Sequence, residues 1–186
     1  DTKKIHIVSC GRLVNVKNTI QIIKLIGFIG KFLNEYKIIY SCIGNGPELK
    51  RVKKSAKTNL RNIEFNLIDK VPSLYEFLKE NDTDFYINLS LSEGMSFALM
   101  EAMSLSIPVI CSNIPGNTEI VNNENGYVLS SYNNLDIEKI VKQIKKDLEN
   151  NNIETKRINT FKTVNEKINR RVVLENMKNL IKSKFF

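Results

Sequence analysis

The sequence predicts an α/β fold in which helices cover both faces of a doubly wound, mostly parallel six-stranded sheet. The first observation is that short β-branched runs alternate with amphipathic helical segments along most of the 186 residues. The second is the stretch 85–116, where a strand, a loop, a helix and another strand follow one another. Two strands joined by a helix lie parallel in a sheet, because antiparallel neighbours need only a short turn. We expect one domain over residues 1–186.

The first unit is a strand over residues 5–10, a loop, and a helix from Thr19 to about Leu33. A stripe of isoleucine and leucine at helical spacing indicates the helix, and Asn18 is placed to cap it. The second unit joins a strand over 37–43 to a helix that ends near Thr58.

The turn between the second strand and its helix has the sequence Gly-Asn-Gly-Pro-Glu over residues 44–48. A dinucleotide-binding fingerprint requires a third glycine three residues later, and Leu49 stands there. The turn therefore argues against a dehydrogenase cofactor.

The third unit is a strand over 63–67 followed by a helix that continues through Leu78. Ser73 and Glu76 form a capping box, which marks the start of this helix. The Asp-Thr-Asp sequence at 82–84 resembles a metal-binding motif, but it precedes the next strand. Because ligands bind at the carboxyl ends of parallel strands, we interpret it as a solvated turn.

The fourth unit contains a strand over 85–89, a helix over about 96–105 and a strand over 109–111. The apolar side chains of this helix are distributed around nearly its whole circumference, which predicts that it is buried on all sides. Glu101 lies within it, and a buried carboxylate is costly unless a fixed group donates a hydrogen bond to it.

The remaining chain predicts a helical turn over 118–121, a last strand over 127–129, an amphipathic helix over 136–148 and a final helix over about 165–182. The lone histidine, His6, lies in an apolar run and is expected to be structural. Three scattered cysteines predict free thiols in a reducing compartment rather than a metal site.

The net charge of +8 is placed unevenly along the chain. Residues 1–138 carry 15 cations and 15 anions, whereas residues 139–186 carry 13 and 5. This basic tail fits either an anionic membrane surface or an ordinary solvated surface, and it lacks the motifs and aromatics that nucleic-acid binding requires. With no long apolar run and no export pattern, we expect a cytoplasmic protein, peripheral at the inner membrane face if the tail binds lipid.

A candidate ligand site lies at the carboxyl end of the fourth strand. Glu93 and Glu101 supply two carboxylates, Gly94 allows a ligand to approach the backbone, and the free N–H groups of the first helical turn suit an anion. This pattern predicts a phosphorylated, polyhydroxylated ligand. The alternative is a capping box in which Ser90 caps the helix and Glu93 reaches back to it.

Two cations, Arg12 and Lys17, occupy the equivalent loop after the first strand, next to Gly11. Charge-assisted hydrogen bonds are worth roughly 1.5–3 kcal/mol each, so these side chains can balance a diphosphate without a metal. A solvent-facing lysine is the simpler interpretation of Lys17 alone.

These residues resemble the retaining glycosyltransferases of the GT-B fold, the large group-1 family. The resemblance covers about residues 5–130 and rests on Gly11-Arg12-Leu13 with Lys17-Asn18, Gly44-Asn45-Gly46-Pro47, Ser92-Glu93-Gly94, Glu101-Ala102-Met103 and Pro108-Val109-Ile110. Ser106 departs from the pattern, since the family usually has glycine there.

The resemblance implies specific roles. Arg12 and Lys17 would hold the donor diphosphate beside Gly11, Glu93 would contact the transferred sugar, and Glu101 would bind the ribose hydroxyls. Backbone groups would contact the base and the sugar-phosphate at Ile68 and at Gly94, Met95, Ser96 and Phe97. Catalysis would then depend on Glu93, Arg12 and Lys17, and no metal cofactor would be required.

The resemblance further implies a Rossmann-like donor-binding domain, one half of the GT-B architecture, that transfers a hexose from a nucleotide-diphosphate sugar to a glycan or lipid-linked acceptor in polysaccharide or glycoconjugate synthesis. The family's N-terminal acceptor-binding domain would be absent, the last helix would cross toward it, and this chain alone would be nearly inactive. A sugar-nucleotide epimerase of the same fold and a non-catalytic binding or scaffold domain remain alternatives.

Overall fold

The computed structural model describes residues 3–167 and contains the predicted sheet. Its strands are β1 (Lys4–Cys10), β2 (Lys37–Ile43), β3 (Glu64–Ile68), β4 (Phe85–Asn88), β5 (Val109–Ser112) and β6 (Gly126–Leu129). They lie in the order β3-β2-β1-β4-β5-β6, and all five neighbouring pairs are parallel. The order reverses between β1 and β4, and the loops that follow those two strands border the crevice where such sheets bind ligands.

Seven helices lie in the described part of the chain, of which the first five connect the strands and the last two follow β6. They are α1 (Thr19–Phe32), α2 (Leu49–Asn59), α3 (Leu74–Glu80), α4 (Phe97–Ser104), α5 (Pro115–Thr118), α6 (Asn134–Glu149) and α7 (Asn152–Lys167). On one face of the sheet, α1, α2 and α6 cover a core cluster that includes Ile5 and Ile7. On the other face, α3 and α4 cover a second cluster around Val8 and Val109. The helices therefore form the two layers of a doubly wound, Rossmann-like fold.

His6 has a structural environment on β1, as the sequence indicates. Its Nδ1 lies 2.9 Å from the carbonyl oxygen of Asn81, and its Nε2 lies 2.9 Å from Oγ of Ser41. The side chain is buried, and its ring nitrogens connect the end of α3 and the middle of β2 to β1.

The start of α1 differs from the prediction. Asn18 has a left-handed backbone (φ 54°), and its side chain forms no capping hydrogen bond. It instead ends the short 3₁₀ turn Asn15–Lys17, where its backbone N–H donates to Asn15. Asparagine tolerates the left-handed conformation, so Asn18 redirects the loop into the helix.

The last described helix also differs. Helix α7 begins at Asn152, well before the predicted start at 165, and the sequence pattern misses it because its few buried residues include Lys156 and Thr160. Residues 165–167 of the predicted final helix belong to α7, and residues 168–182 lie outside the described residues. The helical turn predicted at 118–121 lies at Pro115–Thr118, because proline suits the first position of a helix.

The segment 82–84 is at the amino end of the sheet, as predicted, but it is not a solvated turn. The Asp84 carboxylate accepts a hydrogen bond of 2.9 Å from the backbone N–H of His6 and forms a 3.1 Å ion pair with Arg157. Burial raises the pKa of Asp84 against these two stabilising contacts. Asp84 therefore anchors α7 to the sheet.

The turn before β5 contains a residue other than glycine in the left-handed backbone conformation. Ser106 has φ 61°, the left-handed conformation that glycine adopts without strain. Ser106 therefore adopts a backbone conformation that glycine would also adopt at this position.

Candidate functional site

The loops that follow β1, β2 and β4 are joined at the carboxyl edge of the sheet. Leu13 donates its backbone N–H to the Asn45 oxygen at 2.9 Å, which connects the first loop to the second. Leu91 donates to the Val16 oxygen at 2.8 Å, which connects the loop after β4 to the first. The candidate side chains therefore project from one bonded rim.

Glycine at position 44 is required for this arrangement. Gly44 has φ +146°, and a Cβ atom there would lie 2.0 Å from the backbone oxygen of Gly11. Any side chain would push the first two loops apart, so the Gly-Asn-Gly-Pro turn shapes the rim through close backbone packing.

Lys17 and Glu93 form an ion pair at the centre of the rim. Lys17 ends the 3₁₀ turn after β1, and its Nζ donates to Oε1 of Glu93 in the loop after β4. The Lys17 side chain is 31% exposed and that of Glu93 is 12% exposed. The pair joins one predicted cation to one predicted carboxylate and remains reachable from solvent.

Asn88 holds the second carboxylate oxygen of Glu93. Its Nδ2 donates to Oε2 of Glu93 at 2.8 Å, and its Oδ1 accepts from the backbone N–H of Ser90 at 3.0 Å. Asn88 is buried at the last position of β4. The sequence analysis missed this residue, although a polar side chain that ends an otherwise apolar strand is a usable signal.

Ser96, rather than Ser90, caps the following helix. Its Oγ accepts from the backbone N–H of Leu99 at 3.4 Å, so the alternative capping box of Ser90 with Glu93 does not form. Because Glu93 is not used as a cap, its carboxylate is available to face Lys17.

Gly94 presents open backbone beside this pair. A Cβ atom at Gly94 would meet no heavy atom within 4 Å, which marks accessible space in front of it. On the other side of this loop, a Cβ atom at Gly116 would lie 2.3 Å from the backbone oxygen of Glu93 and 2.2 Å from the backbone oxygen of Gly94. Gly116 therefore lets α5 support the loop that carries the carboxylate.

Helix α4 is buried on one side only, contrary to the prediction. Leu99, Ala102 and Met103 face the core, whereas Phe97 is 79% exposed. Glu101 is half-buried and has no ion-pair partner among residues 3–167. Partial exposure, rather than a fixed donor, makes its charge tolerable.

The pKa shifts show that these groups are close enough to influence one another. Burial opposes the charge of Glu93, but hydrogen bonds from Lys17 and Asn88 outweigh it and hold the pKa of that carboxyl below its ordinary value. Burial raises the pKa of the Cys10 thiol to about 11; the charge of Glu101 adds to this rise and that of Lys17 opposes it. Cys10, at the end of β1, therefore lies within reach of both charges.

The remaining predicted residues lie on the same edge with fewer contacts. The side chain of Arg12 is exposed and forms no ion pair within the described residues. Ile68 ends β3, where its backbone oxygen accepts from Gly44 at 2.8 Å, and Met95 is 53% exposed. The structure thus brings Lys17 and Glu93 into contact, whereas Arg12, Ile68 and Met95 lie in loops or at a strand end of the same edge without a side-chain hydrogen bond or salt bridge to that pair within the described residues.

Metal clusters and membrane-spanning helices are both absent from residues 3–167. That part of the chain holds no group of three or more histidine, cysteine, aspartate or glutamate side chains suited to a metal ion. No helix in it combines the length and apolar character that crossing a membrane requires.

Comparison with known proteins places the chain in a sequence family. The model of the family "Glycosyl transferases group 1" matches residues 1–163. Protein CapJ from Staphylococcus aureus is 32% identical over 165 residues, which is 82% of this chain and 40% of CapJ. The chain thus spans well under half the length of that relative.

Solved structures share the fold. The crystal structure of S. aureus TarM with UDP and α-GlcNAc-glycerol superposes with a TM-score of 0.78 at 22% identity, covering 94% of this chain and 35% of TarM. The pneumococcal O-GlcNAc transferase GtfA, in complex with UDP and GlcNAc, gives a TM-score of 0.74 at 20% identity, covering 96% and 35%. At these identities the likeness shows the architecture alone.

Proposed function

The chain belongs to the group 1 glycosyltransferase family, and from that premise we propose that it forms the donor-nucleotide half of a retaining glycosyltransferase. The reaction would move a hexose from a nucleotide-diphosphate sugar to a glycan or lipid-linked acceptor. The observation that carries this proposal is the contact of Lys17 with Glu93, held by Asn88 beside the open backbone of Gly94.

Lys17 and Arg12 would bind the departing diphosphate. During transfer the bond between the anomeric carbon and the diphosphate oxygen breaks, and a bond to an acceptor oxygen forms. Negative charge then accumulates on the diphosphate, and fixed cations stabilise that charge more strongly than water does. The exposed guanidinium of Arg12 and the first-turn N–H groups of α4 complete the anion-binding surface.

The two carboxylates would recognise hydroxyl groups. Glu93 is ionised, oriented by two hydrogen bonds and adjacent to Lys17, so it is suited to contact the transferred sugar. Glu101 lies half-buried on α4 without an ion-pair partner among residues 3–167, which leaves its oxygens free to accept from ribose hydroxyls. Ile68 would contact the base through its backbone.

A second domain would complete the active site. The small cavity beneath Lys17 and Asn88 has a volume of about 20 Å³, so a nucleotide would lie on the open rim above it. We propose that an N-terminal acceptor-binding domain covers this rim, which the greater length of the relatives supports. The free cysteines favour a cytoplasmic site for the reaction, and we propose that it needs no metal.

Calorimetric titration of the 186-residue protein with uridine, guanosine and cytidine diphosphates tests the proposal. We expect micromolar or weaker binding of one of them, unaffected by a chelator, and little transfer of sugar by this chain alone. Absence of binding to all three would favour a scaffold domain. Release of free nucleotide together with an altered sugar would indicate an epimerase.

A further inference from the structure

Helix α2 and the residues that follow it form the most cationic short segment of the described chain. Residues 49–61 contain six cations and no carboxylate, and all six side chains are exposed: Lys50, Arg51, Lys53, Lys54, Lys57 and Arg61. Val52 and Ala56 bury the opposite side of the helix. Arg51 pairs with Glu48, and the other five cations have no ion-pair partner within residues 3–167.

In the described part of the basic tail, residues 139–167, half of the eight cations are neutralised by nearby carboxylates. Four of its cations form ion pairs within the described residues: Lys142 with Glu138, Lys145 with Glu35 and Glu149, Lys156 with Asp147, and Arg157 with Asp84 and Glu154. The charge count along the sequence therefore points to the tail, whereas the unpaired cations of the folded domain are concentrated on α2.

An open apolar groove runs between α2 and the edge strand β3. Its volume is about 510 Å³, and Ala56, Leu60, Phe65 and Leu67 form its floor. Cations line the groove as well: Lys53, Lys57 and Arg61. Ala56 and Leu60 are buried, whereas Phe65 and Leu67 are half-buried and reach the open side of the groove. Partly accessible apolar side chains bordered by ammonium and guanidinium groups match the boundary between lipid headgroups and acyl chains.

We propose that this α2–β3 face, formed by Lys53, Lys57, Arg61, Phe65 and Leu67, docks the protein on a membrane surface that contains anionic phospholipids. Clusters of four to eight basic residues on an amphipathic helix are typical of such surfaces. Protein interfaces are depleted in lysine and enriched in tyrosine, tryptophan and arginine, whereas lysine predominates here. The face has a single aromatic side chain, Phe65, which is too few to stack the successive bases of a single-stranded nucleic acid.

The position of this face is compatible with the proposed donor site. Strand β3 is at one edge of the sheet, and β1 and β4, which carry Lys17 and Glu93, are in its centre. Docking through the edge would leave the central rim open to a nucleotide. The inference does not depend on the proposed function, because it concerns a different surface.

Vesicle co-sedimentation of the full 186-residue chain tests the proposal. Wild-type protein, the triple variant K53Q/K57Q/R61Q and the matched control K139Q/K146Q/K162Q are mixed with phosphatidylcholine vesicles, with or without phosphatidylglycerol. Each variant loses three exposed, unpaired cations, so both have the same net charge. Circular dichroism verifies that both fold.

We expect the wild type and the control to bind phosphatidylglycerol vesicles at low salt and to ignore pure phosphatidylcholine. Because one cation near an anionic surface contributes about fivefold to partitioning, the α2 variant should bind roughly 100-fold more weakly. Equal losses in both variants would overturn the proposal, since net charge alone would then explain binding. Binding to heparin or polyglutamate but not to vesicles would overturn it in favour of a macromolecular polyanion.

Discussion

Two lysine–carboxylate pairs in this domain have the same chemistry and opposite surroundings. At the centre of the carboxyl edge, Lys17 and Glu93 form an open pair, with side chains 31% and 12% exposed. At the far edge of the sheet, Lys156 of α7 and Asp147 of α6 form a closed pair, with side chains 11% and 4% exposed. The comparison separates a pair that is accessible to a ligand from one that holds the structure together.

The closed pair is saturated by protein groups. Asp147 accepts from the Tyr127 hydroxyl at 2.8 Å and from Gln143 at 2.9 Å. Lys156 donates to the Gly126 oxygen at 3.3 Å, and its ammonium lies 4.6 Å from the centre of the Tyr127 ring. Burial lowers the pKa of Lys156, and the charge of Asp147 opposes that effect. These contacts fasten α6 and α7 to β6 and leave little capacity for a ligand.

The open pair has hydrogen-bonding groups that protein atoms do not use. Lys17 has one carboxylate partner and is partly exposed, so a diphosphate can compete for its ammonium. The difference between the two pairs is therefore one of access, because the open pair keeps hydrogen-bonding groups available at a solvent-accessible edge and the closed pair does not.

The largest expected effect is a loss of unfolding free energy when the closed pair is broken. Asp147→Ala would leave the Lys156 ammonium buried without a counter-charge and remove the acceptor of Tyr127. Breaking a buried pair in this way costs about 3–5 kcal/mol, and urea unfolding measures it. Lys17→Ala is the matched control, with an expected loss below about 1 kcal/mol because its side chain is partly exposed. Equal losses would remove the distinction between the two pairs.

The second effect is on ligand binding at the open pair. Arg12→Ala and Lys17→Ala should each weaken nucleoside-diphosphate binding about 10- to 100-fold, since a charged hydrogen bond contributes roughly 1.5–3 kcal/mol. Binding of the unphosphorylated nucleoside should stay unchanged in the same calorimetric titration. Lys139→Ala, which removes a cation far from the rim, controls for net charge. Similar losses for nucleoside and diphosphate would exclude the phosphate role.

A smaller effect extends the comparison to the other carboxylate of the rim. Glu101→Gln should weaken ribonucleotide binding about fivefold, because the hydroxyl groups would donate to a neutral amide oxygen instead of a carboxylate. Binding of 2′,3′-dideoxynucleotides, measured in parallel, should be unaffected. A loss of equal size for both ligands would mean that Glu101 acts through the fold rather than through the ribose.

The smallest effect is the pH dependence of stability. The pKa of folded Glu93 lies below the ordinary 4.5, so its stabilising contribution is complete above that pH and is lost as the pH falls through the folded value. Wild type should therefore lose more stability on acidification than Glu93→Gln, by less than about 1 kcal/mol because the pair is partly exposed. Urea unfolding of both proteins between about pH 5 and pH 3 measures the difference. An equal loss of unfolding free energy in the two proteins over this pH range would contradict the prediction.

Local patterns predicted the fold well wherever one helix or strand contains its own signal. Ser73 accepts from the backbone N–H of Glu76 at 3.2 Å, as the capping box indicates, and the six predicted strands are all present. The prediction was wrong for α7 and for the cap at Asn18. For α7, contacts with the distant residues Asn125 and Asp147 replace apolar periodicity, whereas at Asn18 the preceding 3₁₀ turn and a left-handed backbone replace the cap.

The residues of the candidate site likewise include some that the sequence predicts and some that only the structure reveals. Arg12, Lys17 and Glu93 were predicted from residue type and position after a strand, and the structure brings two of them, Lys17 and Glu93, into contact. Glu101 was predicted from its place within an apolar helix, and its role remains a prediction. Asn88 and Gly116 escaped notice because their effect depends on atoms of Glu93 and Gly94, which only the folded loop brings to them.

The amino-acid sequence by itself determined the alternation of strands and helices, the parallel sheet and the family, because periodicity and turn chemistry are properties of neighbouring residues. Only the tertiary structure decided which charges meet: that Lys17 pairs with Glu93, that Asp147 neutralises Lys156, and that Arg51 alone among the α2 cations has an ion-pair partner within residues 3–167. Pairing depends on distances across the sheet and on exclusion of water, and neither quantity can be read from the order of residues.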